Sequence, residues 1–505
     1  MGRLYQFLGI LAVYCVFNYV YAECKGLRYR NALRLVLLAT MIFVVIGYKH
    51  LSIPMVTYLL IGLIGIPSVV YGVIYEPEVL LIVAATYIPF NLLLPADFGG
   101  MQKALNGTNV ILVALVLGWL FGKKKMGTSG PATRNKALGL VIAYTLLSII
   151  SYIQGGIFHG PMYMAGMIFP LKRWLTSIFL FVIFFRLATN RQIIKVIFSV
   201  LMLVIISNIL YGILEWVDLG FGTYSSVKRR LGGFNMHPNF YGAFIAYYIC
   251  IIIGPFLTGG RKIAAKFLLI PFLVGVRIII PTNSRGSWLG LAPAILTVAF
   301  LRKKILFVLV LGMLFVSAIV PGLMPSTVRF RFHDVFPANK PTELYQESSV
   351  IPNLGASKSV SIRTRSMLLD AGWVMIKEHP VFGVGWGVFP FMIGNYNPVL
   401  NRATAHNMFL RIVCEMGVST LVVLLMMLFL FFKAGVYVYR REKDKMLKGI
   451  ALGYTACIPA IIGCNMTGNR FDSVDLIAIF WMLSACVLRL QQIIRSERIE
   501  EEYRT

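Results

Sequence analysis

Three residues with chemically useful side chains stand at the ends of long apolar runs: Arg230, Arg285 and His406. Arg285 sits in Thr282-Asn-Ser-Arg-Gly-Ser-Trp288, a connection so tight that its guanidinium must lie at the edge of the two flanking runs or in a polar cavity. Arg230 closes the basic run Lys228-Arg229-Arg230, and His406 opens a further apolar run in Thr404-Ala-His-Asn407. Guanidinium forks grip phosphate oxygens in bidentate geometry and cannot lose their charge, so two arginines on one face suit a phosphate-bearing ligand. A histidine in such a position has two readings. It is more often a hydrogen-bonding residue at a helix end than a catalyst, and the two arginines beside it favour the second role.

The elements that bring these groups together are read from composition. Of 505 residues, 58% are hydrophobic and only 13% charged, against roughly 25% charged in a soluble domain. Mean hydropathy is +0.77 over the whole length, so no long polar half exists and a soluble enzyme with one anchor is excluded. The chain reads as an all-α polytopic membrane protein with about 14 transmembrane helices at ~20 apolar residues each. The first apolar run follows Arg3 and lacks a small-residue cleavage site, so it reads as a span and not as a removed signal peptide. The seven cysteines show no CxxC spacing, which suggests neither a zinc site nor a disulfide framework.

Charge sets the orientation. Lys and Arg are retained on the cytoplasmic side, and basic clusters at 123–136, 186–195, 261–266, 302–304, 433–448 and after 489 fall after every second segment. Both termini are then cytoplasmic, and the loops at 154–170, 215–237, 284–286, 321–405 and 466–472 face outward. Most of the formal net charge of +28 is thus a statement about topology and not about nucleic acid. A remainder is on the wrong side for that rule: Lys228, Arg229, Arg230, Arg285, Arg329, Arg331, Arg363, Arg365 and Arg402. A binding site for something anionic on the outer face explains it.

The chain divides into N-terminal spans (1–220), a transmembrane core carrying the arginines (221–320), a large outer loop (321–405), C-terminal spans (406–492) and a cytoplasmic tail (493–505). The large loop contains a helix-like stretch from Thr364 to Glu378 and the run Phe382-Gly-Val-Gly-Trp-Gly-Val-Phe389, too aromatic and too glycine-patterned for a disordered linker. A folded cap on the membrane is expected. His379-Pro380 shapes the turn after the loop helix, and His237, next to Pro238, starts a span and stands where it can line the site. Glu415 lies about 13 Å deeper than His406 at 1.5 Å per residue, too far to touch it, and is expected to partner a basic group inside the bundle.

In order along the chain, Arg230-Leu-Gly-Gly-Phe-Asn-Met-His-Pro-Asn239, Ser284-Arg-Gly286, the His379-Pro…Gly383-Val-Gly…Gly387 run, and His406-Asn407 with Glu415 and Gly417 resemble four motifs of the bacterial O-antigen ligase and polymerase superfamily. The resemblance covers about residues 224–432; the first 220 match only as a row of spans. It implies a GT-C-like glycosyltransferase in the bacterial inner membrane, moving a glycan from an undecaprenyl diphosphate carrier to an acceptor hydroxyl on the periplasmic face. The acceptor would be lipid A-core for a ligase or the next lipid-linked glycan for a polymerase. Carried over by position, Arg230 and Arg285 resemble the diphosphate-binding arginines and His406 the catalytic histidine. Arg229, Arg363, Arg365, Asn407 and His237 are further candidate substrate contacts. The chemistry is expected to be inverting and metal-independent, with no cofactor and with membrane lipids as the only other partners. A transporter or flippase for an anionic or lipid-linked substrate is the rival reading. The basic residues speak against it, because they gather on one face and transporter sites usually lie near the midplane.

Overall fold

The computed structural model describes residues 65–90, 107–121, 135–221, 230–233, 237–259, 263–320 and 354–504. Among these every regular element is helical: α1 (Ile66–Ile74), α2 (Pro77–Tyr87), α3 (Gly107–Phe121), α4 (Lys136–His159), α5 (Pro161–Leu187), α6 (Arg191–Asp218), α7 (Pro238–Thr258), α8 (Ile263–Lys266), α9 (Leu269–Ile278), α10 (Arg285–Arg302), α11 (Lys304–Ile319), α12 (Leu354–Glu378), α13 (Phe389–Tyr396), α14 (Met408–Arg441), α15 (Lys445–Asn465) and α16 (Val474–Arg504). Seven of them, α4, α5, α6, α7, α14, α15 and α16, are long and apolar enough to cross a membrane. The expected spans before residue 65 lie outside the described residues.

Two stretches depart from the sequence reading. The loop expected at 154–170 is instead the end of α4 and the start of α5, meeting at Gly160, whose φ of 79° is open to glycine, with Pro161 at the first helical position. Gly155 and Gly156 are not breakers there. A Cβ at Gly155 would lie 2.4 Å from the Tyr163 hydroxyl, and one at Gly156 would lie 2.6 Å from Met164, so both exist to let α4 and α5 close on each other. The apolar run at 265–283, long enough by sequence for one span, is broken into α8 and the ten-residue α9. Pro281 and the left-handed Asn283 (φ 51°) prevent continuation and form the turn into α10.

Ion pairs mark one end of the bundle. Arg191 at the start of α6 pairs with Glu442 after α14 at 3.2 Å and with Glu497 on α16, and Lys195 pairs with Asp444 before α15 at 2.7 Å. These contacts fix α6 and α15 antiparallel to α14 and α16. They also put the connections 402–407 and 466–473 together at the opposite end, where the close approach of Gly286 to Thr467 adds 282–284.

The central layer is α7, α10 and α15. A Cβ on Gly254 of α7 would come within 1.9 Å of the Gly449 carbonyl on α15, and one on Gly290 of α10 would lie 2.3 Å from Cys464 Sγ and 2.7 Å from the Ala460 carbonyl. Small residues at such crossings let helix backbones touch, which is how helices associate where lipid removes the hydrophobic drive. Around this layer Phe181, Phe431, Phe471, Phe480 and Trp481 pack edge to face or tilted, with centroids 5.6 to 6.3 Å apart.

Candidate active site

The described part of the large loop is folded. Leu368, Ala371 and Met375 of α12 form a small separate core with Val384, Val388, Phe389, Ile393, Leu400, Ala405 and the first turns of α14. The glycine run after α12 is stitched to α14 and α4. Val384 N donates to Cys414 O at 2.9 Å, Gly385 N to Glu415 O at 3.0 Å, and Trp386 N to Ser151 O at 3.2 Å. Gly383, Gly385 and Gly387 all have positive φ, and the approach is so close that a Cβ on Gly383 would be 2.4 Å from Glu415 backbone carbon.

Helix α14 yields to this loop. At Gly417 (φ 82°, ψ 168°) its backbone leaves the helical region, and Val418 N donates to Pro380 O at 2.9 Å. A Cβ there would stand 1.9 Å from Val381 O. Gly417→Ala therefore pairs a left-handed backbone with a steric clash and is expected to cost about 1–3 kcal/mol, read as a lowered Tm of the purified protein in detergent.

Below the loop, Arg411 bridges Glu415 (3.1 Å) and Asp472, with its guanidinium 5.7 Å from the Trp386 ring. Glu415 also accepts from Phe389 N at 3.2 Å. The internal basic partner expected for Glu415 is thus Arg411, one turn before it.

His406 stands above this network. Its φ of 48° is left-handed, a region histidine visits more readily than most residues. Buried Ala405 precedes it, and Asn407 follows as the N-cap of α14, its Oδ1 accepting from Phe409 N (2.9 Å) and Leu410 N (3.2 Å). The imidazole is exposed, and Thr404 Oγ1 lies 3.4 Å from its Nε2. Loss of hydration beside the surrounding protein, then the positive fields of Arg365 and Arg470, hold its pKa below the usual 6.5.

The arginines are reached from the other side. Arg230 is clamped by its own fold: Nε donates to Thr282 O at 2.8 Å and Nη2 to Asn239 Oδ1 at 2.7 Å. The chain next to it is held by Glu215, which accepts from Gly232 N (3.2 Å) and Gly233 N (2.7 Å). His237 is the N-cap of α7, its Nδ1 accepting from Asn239 N at 3.2 Å. Burial first, then Arg230 and Arg470, lowers its pKa.

Arg285 is the first residue of α10, after the buried turn Thr282-Asn-Ser284. Among the described residues it makes no ion pair. Its charge and the helix N-terminus behind it both favour an anion. Arg365 on α12 is close enough to feel Arg285 and Arg470; burial first and then those two charges lower its pKa.

The structure therefore draws Arg230, Arg285, Arg365, His237 and His406 to one end of the bundle. Arg229 and the side chain of Arg363 lie outside the described residues. Sequence reasoning missed Arg470, in the short connection between α15 and α16, whose charge reaches His237, His406 and Arg365 alike. The available signal was a lone arginine in Met466-Thr-Gly-Asn-Arg-Phe-Asp472, a loop already expected to face outward.

No curated protein matches the chain. Residues 270–425, from α9 through the glycine run and into α14, match the O-antigen ligase family. That segment holds Arg285, Arg365 and His406 together with the loop that positions them, and its likeness to that family supports the resemblance to the O-antigen ligase and polymerase superfamily.

Proposed function

We propose that this protein transfers a glycan from a polyprenyl diphosphate carrier to an acceptor hydroxyl at the periplasmic face of the bacterial inner membrane. The observation that carries the reading is the gathering of Arg230, Arg285, Arg365 and the exposed His406 at one end of the bundle, opposite the Arg191–Glu442 pair, with Arg365 close enough to act on both Arg285 and His406. In this reading the protein has about 14 spans and a GT-C-like arrangement, with the large loop on the periplasmic side.

The chemistry asks little covalent work of the protein. The acceptor oxygen attacks the anomeric carbon as the bond from that carbon to the carrier's phosphate oxygen breaks, and the acceptor proton passes to His406. Arg230 and Arg285 meet the charge growing on the departing diphosphate, the preorganised electrostatic contribution that is often the largest in catalysis. Arg365, on the loop side, and the Asn407 and His237 amide and ring groups would hold the donor in register. With no protein nucleophile the anomeric configuration inverts, and guanidinium groups take the place a metal ion would fill.

The lowered pKa makes His406 neutral, and so able to accept a proton, at pH 7. Transfer should fall as pH drops through a value below 6.5, where the ring protonates. Arg365→Gln removes one of the charges holding that value down. Its pH profile of kcat/KM is expected to show the acid limb moved upward, toward 6.5. An acid limb unmoved by this substitution would separate Arg365 from His406.

The acceptor is decided by a lipopolysaccharide gel from a deletion strain. Bare core, with polymer accumulating on carrier lipid, makes the protein a ligase; core bearing one repeat makes it a polymerase. Unchanged lipopolysaccharide and unchanged carrier-linked glycan would remove both.

A further inference from the structure

Arg470 is 4% exposed, and among the described residues no carboxylate pairs with it. Its Nη1 donates to Cys464 O, its backbone N donates to Asn465 Oδ1 at 3.0 Å, and its Nε is buried with no hydrogen-bond partner. Asp472, two residues away, is turned instead toward Arg411. The contrast between the two arginines is instructive: Arg411 has Glu415 and Asp472, while Arg470 has a carbonyl and, at 3.5 Å, the Thr467 hydroxyl.

The fold makes room for this cation. A Cβ on Gly286, the residue after Arg285, would lie 3.0 Å from Arg470 Nη2 and 1.9 Å from Thr467 Oγ1. A Cβ on Gly468 would lie 3.1 Å from its Cζ. The guanidinium is thus packed directly beneath the start of α10. Removing a cation from water without a counter-ion is costly, and a fold normally pairs or neutralises such a group. Arginine cannot neutralise itself, and Arg285 and Arg365 nearby add charge of the same sign.

We propose that Arg470 is a buried countercharge for the diphosphate of the substrate, a third guanidinium beneath Arg285 and Arg365 whose anionic partner arrives with the donor lipid. The inference rests on the lipid-diphosphate reading above and adds a residue to it. Arg470 is a positioning residue, acting through its field on the bound anion and on Arg285. The same field helps hold His406 in its neutral form.

Binding of farnesyl diphosphate to the full-length protein in detergent, measured by calorimetry beside the ligand-free Tm, tests this with Arg470→Gln, Arg470→Lys and Arg285→Ala. Arg470→Gln is expected to weaken binding roughly 10- to 100-fold, and Arg470→Lys to restore most of it. Because the unpaired charge is a burden on the empty protein, Arg470→Gln should leave the ligand-free Tm unchanged or raised. The proposal is overturned if Arg470→Gln binds like the parent. It is also overturned if that variant misfolds or melts lower while Arg470→Lys loses as much binding, since Arg470 would then be a structural brace. Weakened binding by Arg285→Ala with none by Arg470→Gln sinks this inference alone; intact binding in both sinks the diphosphate reading.

Discussion

His406→Ala is expected to lose roughly 10²- to 10⁴-fold in glycan transfer, the usual worth of a positioned general base, while the protein still folds and reaches the membrane. The geometry separates the two effects. The ring is exposed and its polar contact is Thr404 Oγ1 at 3.4 Å, so little packing is lost with it. The backbone is the complication: at φ 48° alanine pays a left-handed penalty of about 1–2 kcal/mol. Asparagine tolerates that region. His406→Asn is therefore the cleaner variant, keeping the turn before Asn407 and the cap on α14 but removing the proton acceptor. Equal losses in the two variants, with Tm kept in His406→Asn, assign the effect to chemistry. Full activity in His406→Asn would make the residue a helix-end group only.

Arg285→Ala should cost roughly 10²- to 10³-fold, the scale seen when one donor to a developing anion is removed. Arg285 is better suited to this test than Arg230. Arg230 is tied to Thr282 O and Asn239, so its loss also loosens the connection between α7 and α10. Arg285 makes no ion pair among the described residues, and its truncation leaves the buried turn Thr282-Asn-Ser284 in place. Arg285→Lys keeps the charge but not the two-pronged grip, and partial recovery is the expected result. The double variant Arg230→Ala with Arg285→Ala should fall short of the product of the single losses, because both arginines would hold one diphosphate. Steady-state transfer with purified donor lipid reads all three.

The chain's residues differ in how plainly they announced these roles. Arg285 and His406 were legible because each interrupts an apolar run at a point where the chain must turn, and the turns are where expected, at Thr282–Ser284 and before the Asn407 cap. The glycine run 383–387 was legible as folded, though not its target: that it docks on Ser151 and on the broken turn at Gly417 depends on contacts more than 200 residues apart in the case of Ser151. Hydrophobic periodicity reports the local chain and says nothing about which helices touch. Arg470 escaped for that reason. One arginine in a seven-residue connection carries no pattern, and its place beneath Arg285 exists only because α10 and α15 cross through Gly290 and Gly463. The loop expected at 154–170 failed in the opposite direction, since Gly155 and Gly156 let α4 and α5 close on Tyr163 and Met164 and the helices run on to Gly160.

Such a division of labour has a physical basis. Positions fixed by turn chemistry and caps are written within a few residues, whereas a charge cluster drawn from four separate connections is written in the packing of the helices between them. The bundle's ion-paired end, with Arg191, Glu442, Lys195 and Asp444, illustrates the same point, because its basic residues were expected on one side but their acidic partners were not foreseen.

The central claim is that this cluster makes a glycosidic bond at the expense of a polyprenyl diphosphate link. The most direct measurement is a reconstitution in liposomes with a labelled glycan on polyprenyl diphosphate and an excess of acceptor, following both the label and the released carrier. The account expects label on the acceptor, one released polyprenyl diphosphate per bond formed, and both cut roughly 100-fold or more in His406→Asn and Arg285→Ala. Label crossing the bilayer still attached to its carrier, with no new bond formed, would contradict it.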